Sequence, residues 1–306
     1  MQISSFRIFR DLAETASFSR AATMNHVTQS AVSQQVRAME VRFGVTLVER
    51  GRRGFSLTAE GRVFLDVCRR VLSAVDTLGE RLKGVRDVVA GELRLATVQS
   101  IGLHELPPFL RIFQKQFPEV RLEIDYLRSG EIYDRIQTGE IDLGLVAFPA
   151  RRAGIVVEAI ARDRLVLICA PGHRLSKKKS VSPSELEGEA FVLFDPDLPT
   201  RKAIDRMFKR AKVRIGTVRE FDNIETVKRA VEIERGVSIV PETTVIQERR
   251  SRTLMVLEIE APEIERPLGV IYSRTSPASP LRQRFIEALR KHGLDVKSKP
   301  AGRRAS

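Results

Sequence analysis

The 306-residue sequence predicts an α+β, multidomain protein: a helical head closed by a hairpin, one long connecting helix, and an α/β carboxyl-terminal half. Three observations carry that prediction. Apolar residues return at spacings of three and four from Ile3 to Phe43. A heptad-like series of apolar residues runs from Phe64 to Val85. From Leu93 onward, short apolar runs alternate with amphipathic segments, the pattern of a sheet covered by helices.

Composition narrows the partners. Apolar residues make up 42 %, enough to fill more than one core, which excludes a wholly disordered chain. Lys and Arg number 52 against 39 Asp and Glu, a formal charge of +13. Such a surface favours polyanions, nucleic acid first and an acidic membrane surface second. The longest clean apolar run, Leu165 to Ala170, falls far short of the ~18 residues a membrane span requires. Arg7 and Arg10 interrupt the apolar positions at the amino terminus, so no signal peptide is expected. Cys68 and Cys169 form no metal-spacing motif and read as buried reduced thiols. A cytoplasmic protein without a membrane partner, metal or cofactor is the expectation.

The head is read in order. Ile3, Phe6, Phe9 and Ala13 predict a helix over 3–15. Ser17-Phe18-Ser19 interrupts it, and Ser19 is expected to cap a short helix from Arg20 to Met24. Asn25-His26-Val27 makes a turn, and Thr28 caps a third helix from Gln29 to about Phe43. Ala31, Val32, Val36 and Met39 form its apolar face; Gln29, Ser30, Ser33, Gln34 and Arg37 form the other. Gln can pair bidentately with adenine edges, Arg with guanine, and Ser or Thr with bases or phosphates. A solvated helix without a task more often carries Glu–Lys pairs four apart. Two short helices and a polar-faced third match helix-turn-helix geometry, with the third in the major groove. A small helical bundle with a polar surface is the blander alternative. Val45 to Arg50 and Phe55 to Thr58 then flank Gly51-Arg52-Arg53-Gly54, a hairpin whose Arg50, Arg52 and Arg53 would reach phosphates or the minor groove. Residues 1–58 hold eight Arg and no Lys against four acids.

These residues also carry a resemblance. Ala16-Ser17-Phe18-Ser19-Arg20-Ala21-Ala22, Thr28-Gln29-Ser30-Ala31-Val32-Ser33-Gln34-Gln35-Val36, Glu40, Phe43-Gly44-Val45-Thr46-Leu47-Val48 and Leu57-Thr58-Ala59-Glu60-Gly61 stand as they do in LysR-type transcriptional regulators. The chain resembles that family over about sixty contiguous residues. Val48 replaces the usual Phe, and Glu60 a common Ala or Pro; neither touches the expected DNA face. The residues expected at promoter or operator DNA are Ser19, Thr28, Gln29, Ser30, Ser33, Gln34, Arg37, Arg50, Arg52 and Arg53.

Thr58 opens a helix to about Arg86. Its Phe64, Val67, Val71, Val75, Leu78, Leu82 and Val85 form a coiled-coil seam, with packing on its own domain as the alternative. The resemblance implies a homodimer joined through this helix, or a homotetramer, with half-sites one DNA turn or a multiple apart.

After a hinge at Asp87 to Gly91, strands are expected at Leu93–Thr97, Arg121–Leu127, Ile141–Val146, Leu165–Ala170, Phe191–Phe194, Val218–Phe221, Val237–Val240, Leu254–Ile259 and Leu268–Tyr272. Helices are expected at Ile101–Phe117, Ser129–Gly139, from Thr200, from Asn223, and at Leu281–His292, with a crossover at Pro149–Gly154. This half resembles the family's two-lobed effector domain, itself similar to periplasmic solute-binding proteins. The expected division is 1–58 winged helix-turn-helix, 59–87 linker helix, 88–296 effector domain (lobe I 92–161 and 268–293, lobe II 162–267) and 297–306 a basic, disordered tail.

An effector would sit between the lobes, at the carboxyl ends of strands. Ser100, Ser129, Thr200 and Asn223 stand at helix starts and either cap those helices or point into the cleft with free N–H groups toward an anionic or polar ligand. By position, the resemblance implies contacts at Ser100, Ile101, Ser129, Pro199, Thr200 and Asn223. Arg201 either adds a counter-charge or faces solvent. Catalytic patterns are lacking: Ser176-Lys177-Lys178-Lys179 lies in a Lys-rich loop, His26, His104, His173 and His292 are scattered, and Gly236-Val237-Ser238-Ile239-Val240 misses the last Gly of a nucleophile elbow. The expected function is a sequence-specific, effector-controlled DNA-binding regulator, not an enzyme, with RNA polymerase a further partner. The alternative is a constitutive or architectural DNA-binding protein with no effector.

Overall fold

The computed structural model describes residues 2–51, 54–84, 89–234, 236–261 and 264–294. Arg52, Arg53, Val85, Asp87 and the tail at 297–306 lie outside the described residues, as do the side chains of Arg50 and Leu82. The architecture is the predicted one: a three-helix head with a two-stranded wing, a long helix, and a two-lobed α/β half.

In the head, α1 (Ile3–Thr15), α2 (Phe18–Met24) and α3 (Gln29–Phe43) bury Phe9, Leu12, Ala21, Val32, Val36 and Met39 in one cluster. The cap of α2 departs from expectation. Ser17 is extended, and its hydroxyl accepts the N–H of Arg20 at 3.3 Å, so the helix begins at Phe18. Ser19, already inside the helix, has its hydroxyl 3.5 Å from Gln29 Oε1 instead. Thr28 caps α3 as expected, accepting the N–H of Ala31 at 3.2 Å. Gly44 ends α3 at φ +67°, a conformation that suits glycine.

The wing pairs β1 (Val48–Gly51) with β2 (Gly54–Leu57) in antiparallel register. Its base is anchored at both ends. The Glu40 carboxylate of α3 accepts the N–H groups of Leu47 and Val48 at 2.9 and 3.3 Å. The Thr58 hydroxyl donates to the Thr46 carbonyl at 2.7 Å.

The long helix α4 spans Ala59–Gly84, about 39 Å at ~1.5 Å per residue. Its first turn passes so close to the wing that a Cβ at Gly61 would lie 2.1 Å from the Leu47 carbonyl oxygen. Gly61→Ala must therefore push backbone against backbone. We expect a loss of about 1–3 kcal/mol in the head, measured by chemical unfolding. Retention of wild-type stability would show that the helix and wing can part freely.

The expected seam on α4 is split. Phe64 packs into the head's own aromatic cluster, 4.9 Å from Phe9 and 5.4 Å from Phe43, so it is not free for a partner helix. Cys68 and Leu72 are likewise buried within the chain. Val67 and Leu78 stay 44 % and 56 % exposed, so an apolar stripe remains uncovered by the chain itself.

The carboxyl-terminal half contains β3 (Gly91–Thr97), α5 (Leu106–Gln116), β4 (Val120–Tyr126), α6 (Ser129–Thr138), β5 (Leu143–Ala147), β6 (Ile155–Cys169), β7 (Ser180–Val181), β8 (Phe191–Phe194), α7 (Pro199–Ala211), β9 (Val218–Phe221), α8 (Ile224–Glu234), β10 (Val237–Pro241), α9 (Ile246–Ser251), β11 (Met255–Ile259), β12 (Glu265–Ser273) and α10 (Pro280–His292). One half-sheet has the order β4-β3-β5-β12-β6, the other β6-β10-β8-β9 with β11 and β7 beyond β6.

The shared strand corrects an expectation. Instead of a separate strand at Leu165–Ala170 after a crossover, β6 runs unbroken from Ile155 to Cys169. It pairs with β12 through Arg164 and with β10 from Leu165 onward. The chain thus passes from one lobe to the other within a single strand. Each lobe keeps its own core: Leu93, Phe109, Phe113 and Phe285 in the first, Leu167, Phe191, Ile204 and Val237 in the second.

Candidate DNA-binding face and interlobe cleft

The third helix of the head is polarised around its axis. Thr28, Gln29, Ser30, Gln34 and Arg37 are exposed, Ser33 is half-buried, and Ser19 is exposed beside them on α2. On the opposite side Val32 and Val36 are fully buried and Met39 nearly so. The Thr28 and Ser30 hydroxyls lie 2.9 Å apart. Amides, hydroxyls and one guanidinium therefore share a surface that the head's core holds rigidly outward. Arg52 and Arg53 lie outside the described residues.

The two lobes enclose a cavity of about 370 Å³. Ser100, Ser129, Pro199, Thr200 and Asn223 all line it, brought together from four strand-to-helix junctions. Ile101 does not: its side chain is fully buried in the first lobe's core, and its N–H donates to the Val98 carbonyl at 3.1 Å. The capping alternative holds only for Asn223, whose side-chain oxygen accepts the Thr226 N–H at 2.9 Å. Ser100, Ser129 and Thr200 make no cap bond; the residues at the cap positions of α6 and α7 are Arg128 and Leu198, and neither caps its helix with its side chain. The uncapped first turns leave N–H donors and a positive dipole end at the cavity.

Two lining arginines escaped the sequence reading, Arg128 and Arg266. Arg128 directly precedes Ser129, a position that could have suggested it. Nothing local marks Arg266, because its partners come from distant segments. Arg128 reaches across from the first lobe to the second, donating to Asp195 Oδ2 at 2.8 Å and Asp197 Oδ2 at 3.1 Å, with Asp222 at 3.9 Å. Arg266 is buried at the base of the cleft. It donates to Glu105 Oε1 (2.9 Å), Asp163 Oδ2 (3.3 Å) and Ser100 Oγ (2.5 Å). The Thr243 hydroxyl lies 3.1 Å from both carboxylates. Burial raises the Glu105 and Asp163 carboxyls above their usual range, although Arg266 pulls the other way.

Arg201 takes neither of its expected roles. It is tied down within the second lobe by Glu220 (2.7 Å), Asp205 (2.9 Å) and the Phe194 carbonyl (2.6 Å). A further interlobe contact joins His104 to Glu225 at 2.9 Å; burial, then the nearby Lys228, lowers the imidazole below its ordinary value. Both cysteines are buried, and burial pushes their thiols up to about 12 for Cys68 and about 11 for Cys169. Among the described residues no cluster of three His, Cys, Asp or Glu could hold a metal ion. No helix among them is long and apolar enough to cross a membrane.

Comparison with known proteins adds a second line of evidence. The model of the bacterial regulatory helix-turn-helix protein, lysR family, matches residues 3–62, and that of the LysR substrate binding domain matches residues 86–294. The RuBisCO operon transcriptional regulator of Allochromatium vinosum is 29 % identical over 297 residues, covering 95 % of this chain and 98 % of that protein. Full-length CbnR, solved in complex with its target DNA, is 25 % identical with a TM-score of 0.69, covering 95 % of this chain and 99 % of CbnR. The regulatory domain of CcmR from Synechocystis PCC6803, solved with 2-PG, is 25 % identical with a TM-score of 0.61, covering 67 % of this chain and 98 % of that domain.

Proposed function

Because the chain belongs to the LysR family of bacterial DNA-binding transcriptional regulators, we propose that it reads promoter DNA through α3 and is switched by a small polar or anionic effector between its lobes. The observation that carries this reading is the polarity of α3: Gln29, Ser30, Gln34 and Arg37 exposed, Val32 and Val36 buried. Laid in a major groove, this face puts two amides and a guanidinium at base edges, with Ser19, Thr28, Ser30 and Ser33 on bases or phosphates. The wing, with Arg50, Arg52 and Arg53, takes the flanking backbone.

We assign residues 1–58 to the head, 59–87 to the linker and 88–296 to the effector domain. The protein works in the cytoplasm as a homodimer or homotetramer, the exposed stripe at Val67 and Leu78 meeting a second copy, and RNA polymerase receives the signal. It carries out no catalysis. The effector contacts are Ser100, Ser129, Pro199, Thr200 and Asn223. The complex of CcmR's regulatory domain with 2-PG supports a small-molecule effector for the corresponding half of this chain. A ligand acts by binding one arrangement of the lobes better than another, and about 1.4 kcal/mol of difference gives a tenfold shift.

The test is a footprint of the chain on promoter fragments with and without small anions. Ser100→Ala and Thr200→Ala should abolish the response to an active anion while operator affinity stays within about twofold of wild type. A footprint unchanged by every anion that binds would favour the constitutive reading.

A further inference from the structure

Resting on that assignment of the cleft, we propose that Arg128 recognises the effector's acid group, and that Asp195 and Asp197 occupy Arg128 until the effector replaces them. The effector is then a small carboxylate or phosphate, and closing of the lobes depends on which acid Arg128 holds.

Three guanidiniums stand at or near the cavity, and the structure separates them by what each would lose. Arg266 is 1 % exposed and its partners Glu105 and Asp163 are equally buried. Taking Arg266 from them would strand two carboxylates in a dry interior, a large cost. Arg201 is 11 % exposed and held by two carboxylates and a carbonyl of its own lobe. Arg128 differs. It is 51 % exposed, and Asp195 and Asp197 are 29 % and 64 % exposed. Pairs that open to water are weak, because each acid regains its hydration when released. Arg128 is therefore the guanidinium that can change partners at little cost.

Its position suits the exchange. Arg128 immediately precedes α6, whose first turn has no side-chain cap, and it lines the cavity with Ser129, Thr200 and Asn223. An anion seated on those hydroxyls and N–H groups lies beside the guanidinium. The two aspartates come from the opposite lobe, in the segment between β8 and α7. When the ligand's acid takes their place, a direct interlobe tie is exchanged for one that runs through the ligand.

The test uses the full chain and calorimetric titration with inorganic phosphate and with malonate. Arg128→Gln should weaken binding of at least one of them by about tenfold, and Arg128→Lys should lose less. Asp195→Asn with Asp197→Asn should tighten the same anion several-fold, because the internal competitors lose their charge. A clasp that served structure alone predicts the same direction for both variants, and that result overturns the proposal. So does unchanged affinity in Arg128→Gln while Thr200→Ala abolishes binding, which leaves the cleft assignment standing. Binding that survives Thr200→Ala and Arg128→Gln alike overturns the cleft assignment itself. Failure of the wild-type chain to bind either anion overturns the proposal.

Discussion

Replacing Arg266 with Met is expected to destabilise the carboxyl-terminal half by about 3–5 kcal/mol, since the change leaves Glu105 and Asp163 buried beside each other without a cation. Chemical unfolding of the full chain reads this as a lowered midpoint. The Thr243 hydroxyl, 3.1 Å from each acid, can satisfy only one at a time and supplies no charge. An unchanged midpoint would mean that water enters the cluster freely. The same site sets a pH dependence. Burial raises both carboxyls, so the folded chain holds protons that the unfolded chain releases. Their contribution is fully present below the ordinary carboxylate range and declines as pH rises through the raised values. Glu105→Gln removes one such group, so its stability relative to wild type should climb as pH rises above the ordinary carboxylate range. A pH-independent difference would place the ionisation elsewhere.

Gln29→Ala and Gln34→Ala are expected to relax base preference by about 1–3 kcal/mol each where the amide pairs bidentately with an adenine. The loss should appear in the ratio of operator to unrelated duplex, not in nonspecific binding. Both side chains are exposed on a helix whose other face is buried, so neither change should disturb the head's packing. Binding isotherms that overlay wild type on every operator would remove these residues from base recognition.

Legibility varied with how local the determining physics was. Helix α3 could be read from Thr28 and from the spacing of Val32, Val36 and Met39, and β8 from the unbroken run Phe191–Phe194. The four cavity-lining polar residues stood at helix starts, where hydroxyls and amides are conspicuous. The first part of β6 was hidden, because Glu158, Arg162, Asp163 and Arg164 break the apolar pattern that marks a strand; its partner β12 holds it extended. Phe64 read as a seam residue because its spacing fits one, yet three phenylalanines of the head surround it. Arg128 and Arg266 matter through acids far away in the chain, a relation no spacing encodes.

Seating Phe64 among Phe6, Phe9 and Phe43 roots the long helix in the head, so the two turn together like a key and its shank. Over a shank of about 39 Å, a tilt of roughly 10° at the far end swings the tip by about 7 Å, close to two base-pair steps at ~3.4 Å each. On the proposed reading, modest rocking in the distant half would thereby be geared up into a shift of the head along the duplex.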